Sequence, residues 1–98
     1  MIGTVSFVPV GVGSSLSKYV ARSVEIIKAS GLDYEFHSMG TNLQGSFEEI
    51  MKVVEDCDQA LIDMGAPRVL IRLSLDDRRD KPASMQAKRD SVSAKLSS

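Results

Sequence analysis

The stretch "HSMGTNLQG", His37 to Gly45, gathers the groups in this chain best suited to chemistry. It holds the single histidine, with Ser38, Thr41, Asn42 and Gln44 close by. Such side chains are hydrogen-bond donors and acceptors, apt for holding a polar ring. Catalysis would need a nucleophile beside His37 and a carboxylate orienting the imidazole. Ser6 and Glu35 are the nearest candidates. Glu35 precedes His37 by two residues on one strand, which makes no relay, so no enzymatic activity is expected. A metal site needs three or four convergent ligands. One His, the lone Cys57 on a helical stripe and scattered carboxylates do not supply them. "GVGSSLSK", Gly11 to Lys18, has the glycines of a phosphate loop but lacks the GxxxxGK[ST] spacing. Its "SLSK" matches the SxxK of serine acyl-enzymes without their companion motifs.

Bulk properties narrow the function classes. At 98 residues the chain fits one domain, residues 1–98, and gains from association with copies of itself. Hydrophobic content of 43% and charged content of 26% are ordinary for a globular protein. A net charge of −1 gives no footprint for nucleic acid. A single cysteine excludes an intrachain disulfide and suits a reducing, cytoplasmic setting. No apolar run approaches the ~18 residues of a membrane span. The start "MIGTVSFVPVG" lacks the basic region of a signal peptide and reads as a strand.

Residue patterns predict the elements that position these groups. Ile2 to Val8 is a β-branched strand, β1. From Leu16, apolar residues at helical spacing predict α1 over about Ser15 to Ser30, with Ser14 or Ser15 as cap and Gly31 as terminator. "DYEFHS" predicts β2 and "TNLQG" β3, with Gly40 in the turn. Ser46 and Glu49 form a capping box. It opens α2, whose stripe of Phe47, Ile50, Met51, Val54, Cys57, Leu61 and Met64 runs to a stop at Gly65–Pro67. Arg68 to Leu75 is β4. "DDRRDK" is a charged loop in which Arg78 or Arg79 could meet an acidic partner. Pro82 opens a last helix, α3, to about Leu96, with a thin stripe of Met85, Val92 and Leu96. The order βαββαβ plus a C-terminal helix predicts an α+β, ferredoxin-like split βαβ repeat with a four-stranded antiparallel sheet.

Strand alternation then sorts the side chains. With Met39–Gly40 as a two-residue turn, His37 pairs with Asn42 and Phe36 with Leu43. Phe36, Leu43, Val5, Phe7, Val69, Ile71 and Leu73 face the helices. Thr4, Ser6, Val8, Glu35, His37, Asn42, Gln44, Leu70, Arg72 and Ser74 share the open face. An RNA-binding sheet of this strand order would carry exposed aromatics on its central strands. Here those positions hold Ser6, Val8, Asn42 and Gln44.

In their order and spacing, "FVPVG", "SGLDYEFHSMGTNLQG", "RVLIRLSLDDRRDK" and the "SV" of the tail helix resemble a small thiamine-binding family, long listed as uncharacterised and related to YkoF-like proteins that bind thiamine or its hydroxymethylpyrimidine part. The resemblance spans essentially the whole chain. It implies a ferredoxin-like fold, homodimers assembling into homotetramers through sheets and tail helices, and ligand binding without a reaction or cofactor. Ser6, Glu35, His37, Asn42 and Gln44 would match an aminopyrimidine and Val8, Met39 and Leu70 would wall it; a thiazolium cation would favour Glu35 nearby, or Arg72 could instead accept a phosphate or sulfate. The alternative is an oligomeric structural or regulatory protein sensing a small anion or other metabolite. A hydrolase of the acylphosphatase type would want an Arg in the β1–α1 loop, where "PVGVGSS" has none.

Overall fold

The computed structural model describes residues 1–14, 16–80 and 84–96. The elements are β1 (Ile2–Val10), α1 (Ser17–Ala29), β2 (Asp33–His37), β3 (Gly40–Gln44), α2 (Phe47–Asp63), β4 (Arg68–Asp76) and α3 (Met85–Leu96). The strands form one antiparallel sheet in the order β2-β3-β1-β4, the ferredoxin-like arrangement predicted from the element order.

Helix α2 begins as its sequence dictates. The Ser46 hydroxyl accepts from the Glu49 N–H at 3.1 Å, and the Glu49 carboxylate accepts from the Ser46 N–H at 2.9 Å. These bonds, from the backbone first and then the hydroxyl, hold the Glu49 carboxyl below the ordinary carboxylate value. Helix α1 starts differently from expectation. Leu16 is its N-cap and no side chain caps it, while Ser15 lies outside the described residues. For α3, the expected opener Pro82 is likewise outside them. The Ser84 hydroxyl accepts from the Ala87 N–H at 3.0 Å instead.

The core lies between the sheet and α1 and α2. Val5, Ile27, Leu43, Ile50, Val53, Val54 and Cys57 form the main cluster. Tyr19, Leu61 and Ala66 form a second, and Phe7 packs against both. Each such aliphatic side chain contributes roughly 1.5–3 kcal/mol by leaving water. The α2 stripe is rotated from the predicted one. Val53 is buried, whereas Phe47 and Met51 are exposed, because the sheet takes the i, i+3, i+4 face centred on Ile50, Val54 and Cys57.

The hairpin register is the main correction. His37 pairs with Gly40, Phe36 with Thr41, Glu35 with Asn42 and Tyr34 with Leu43. The turn is Ser38–Met39, and Gly40 is the first residue of β3. This is a slip of two residues from the predicted pairing, and a slip of two preserves the faces. Gly40 is required here for closeness. Its φ is +151°, and a Cβ would sit 2.6 Å from the Val5 carbonyl oxygen. The other pairings, Ser6 with Arg72, Val8 with Leu70 and Thr4 with Ser74, leave the predicted open face intact.

Candidate functional site

Two strands of unequal length shape the site. β1 pairs with β4 from Ile2 to Val10, but with β3 only from Ile2 to Val5. Beyond Val5 the hairpin has turned away at Ser38–Met39. Ser6 to Val10 therefore has a sheet neighbour on one side only, and the gap opens into a cleft of about 230 Å³. Val5, Phe7, Val20 and Phe36 give the cleft apolar walls, and Ser6, His37, Ser38 and Thr41 give it polar groups. On the open face, a depression of about 550 Å³ lies over Thr4, Ser6, Val8, Leu70, Arg72 and Ser74, bordered by Ser38 and Met39. Ser6, Val8, Ser38 and Met39 line both hollows, which makes one bent site around the hairpin tip.

The tip is tied down by side chains. Asn42 Oδ1 accepts from the Thr4 hydroxyl at 2.9 Å and meets His37 Nε2 at 3.1 Å. His37 Nδ1 accepts from the Met39 N–H at 3.2 Å. That bond needs a bare Nδ1, so the ring carries its proton on Nε2 and donates it to Asn42. His37 thus orients the turn. It has no nucleophile hydrogen-bonded to it among the described residues.

Helix α3 occupies the opposite end of the open face. The Met85 N–H donates to Gln44 Oε1 at 3.0 Å, Lys88 pairs with Asp76, and Arg89 pairs with Glu35. Met85 is the one residue of α3 that buries, while Val92 and Leu96 are exposed. The expected site residues therefore divide. Ser6, Val8, Met39, Leu70 and Arg72 line the open-face depression, and His37 lines the cleft. Asn42 braces the tip, whereas Glu35 and Gln44 hold α3. Ser38 and Phe36 also line the cleft, although Phe36 was expected to face the helices. A register with the turn at Ser38–Met39 would have found Ser38, because turn residues belong to neither face.

Other groups are locally satisfied. Arg78 pairs with Asp80 at 2.9 Å and Arg79 with Asp77 at 2.8 Å. Lys81, also part of the charged loop in the sequence, lies outside the described residues. Cys57 is fully buried, and burial pushes its thiol up to about 12. Among the described residues no helix is long and apolar enough to cross a membrane.

Comparison with known proteins places this geometry. The chain is 38% identical over 91 residues to a UPF0045 protein of Methanothermobacter thermautotrophicus, covering 91% of this chain and 92% of the relative. It is 36% identical over 85 residues to a UPF0045 protein of Synechocystis sp., covering 87% and 70%. The fold matches the crystal structure of a hypothetical protein from Methanocaldococcus jannaschii with a TM-score of 0.87, at 33% identity and 94% coverage of each chain. It also matches a Thermotoga maritima protein whose name proposes a part in thiamine biosynthesis or salvage, with a TM-score of 0.79, 25% identity and coverage of 93% and 96%. A family model described as "Thiamine-binding protein" matches residues 4–93, and the chain belongs to that family.

Proposed function

We propose that this protein binds thiamine or a related aminopyrimidine, without transforming it, in the bent site around the Ser38–Met39 turn. The observation that carries this is the meeting of two hollows at Ser6, Val8, Ser38 and Met39, each combining apolar walls with several hydroxyls. A flat heteroaromatic ring with an amino group needs such walls with a few fixed donors and acceptors. Ser6, Ser38 and Thr41 offer both at the cleft, and His37 holds the turn that closes it. Family membership and the thiamine-related name of the Thermotoga maritima neighbour support the ligand class.

The proposal includes a cytoplasmic homo-oligomer, dimers pairing into tetramers. Val8, Met39 and Leu70 on the open face and Val92 and Leu96 on α3 are exposed apolar side chains that a second copy would cover. Native mass spectrometry of protein purified without added ligand reads the stoichiometry and any retained small molecule together.

Isothermal titration with thiamine and with hydroxymethylpyrimidine tests the ligand. Saturable heat with a matching thermal shift is expected. No heat and no shift at millimolar ligand would sink the proposal. A second reading, a regulatory oligomer sensing a small anion, is favoured by Arg72, the one charged residue among the described residues lining the open-face depression. Thermal shifts across a metabolite panel separate the two.

A further inference from the structure

The charges on the open face are distributed unevenly. Glu35 and Asp76, which share it, are each paired with a basic residue of α3. Arg72 has no ion pair or side-chain hydrogen bond among the described residues, and no carboxylate lines the depression around it. Three hydroxyls share that hollow without a hydrogen-bond partner among the described residues. They are Ser6, which is the cross-strand partner of Arg72, Ser74, two residues along the same face, and Ser38 on the bordering turn. Helix α3 thus neutralises acidic groups at one end and leaves a guanidinium with three free hydroxyls at the other.

That arrangement selects against a bare cation and for an anion. Free thiamine carries a fixed positive thiazolium, which Arg72 would repel within the same hollow. A phosphate monoester is largely dianionic near neutral pH and offers several acceptor oxygens. A guanidinium binds such a group through a planar fork, and hydroxyls donate to the remaining oxygens. Resting on the thiamine-type site proposed above, we propose that the depression seats the phosphate of a phosphorylated ligand. Arg72, Ser6, Ser38 and Ser74 hold the phosphate, while the ring lies in the adjoining cleft. The protein would then recognise the phosphate ester in preference to the free vitamin.

Titration calorimetry at fixed ionic strength in a phosphate-free buffer tests this, with thiamine, thiamine monophosphate and inorganic phosphate as probes. The proteins are the wild type, Arg72→Gln and Ser74→Ala, each checked for folding by circular dichroism. The monophosphate is expected to bind wild type at least about tenfold more tightly than thiamine. In Arg72→Gln that preference should fall to about threefold or less, because monophosphate affinity drops more than thiamine affinity. Ser74→Ala should lower monophosphate affinity more than thiamine affinity. Thiamine binding with no preference for the monophosphate, or a preference surviving in Arg72→Gln, overturns the phosphate seat and leaves the thiamine site standing. Binding of inorganic phosphate alone, lost in Arg72→Gln, supports the seat and overturns the thiamine reading. No binding of any probe overturns both.

Discussion

His37 Nε2 lies 3.1 Å from Asn42 Oδ1, although the two are not register partners: His37 pairs with Gly40 and Asn42 with Glu35. The bond runs diagonally across the open face, and the Thr4 hydroxyl reaches the same oxygen from β1. Three strands are therefore linked through one acceptor. Asn42→Ala removes that acceptor from two donors, at about 1 kcal/mol each. A loss of about 1–2 kcal/mol in urea unfolding is expected. Thr4→Val with Asn42→Ala should cost less than the sum of the single changes, since they share a bond. Strict additivity would show that the two act independently. Nitrogen-15 NMR of the imidazole should report the tautomer protonated on Nε2.

Gly40 sets how closely the hairpin tip approaches β1. Gly40→Ala places a methyl against the Val5 carbonyl and forces a side chain to a φ of +151°. Such strain costs about 1–3 kcal/mol. The unfolding midpoint in urea should fall accordingly. Ligand affinity should fall further than stability explains, because the Ser38–Met39 turn lines both hollows. A stability matching wild type would mean that the backbone relaxes without cost.

Helix α3 is held largely by exposed polar contacts. The side chains in its two ion pairs to the sheet are 38–51% exposed. Pairs of this kind contribute about 0.2–1 kcal/mol and weaken with salt. Lys88→Ala with Arg89→Ala should barely change global unfolding. It should speed amide exchange within α3, and 0.5 M salt should do the same to wild type. A large drop in global stability would show that α3 belongs to the core.

Cys57 should be inert in the folded protein. Burial first, then the nearby Asp56 carboxylate, raises its thiol from 9.0 to about 12. At pH 8 the thiolate population is about a thousandfold smaller than in the unfolded chain. Modification by a thiol reagent should therefore wait for unfolding. Because the folded value is raised, stability from this group is complete below about pH 9 and declines above it, as the unfolded thiol ionises first. Urea midpoints from pH 7 to pH 10 should show this decline, and Cys57→Ala should lack that component. Rapid labelling of native protein would contradict the burial.

Local patterns account for what was legible in the residues alone. The capping box at Ser46 and Glu49, the β-branched run of β1 and the apolar periodicities define elements through short-range chemistry, and their order leaves few ways to bury two helical stripes on one sheet. Face assignment survived a wrong hairpin register because side chains alternate with a period of two, so a slip of two returns each residue to its face. Register itself depends on contacts distant in sequence. Gly40 reads as a turn glycine until the Val5 carbonyl is brought against it. Sequence alone thus determined the fold class and the polar composition of the open face. The tertiary structure decided which of those polar groups are spoken for. Glu35 and Gln44 engage α3, whose apolar residues Met85, Val92 and Leu96 are too few and too widely spaced to signal where it docks. Ser6, Ser38 and Arg72 stay available because the hairpin ends before β1 does, and that difference in length exists only once the strands are paired.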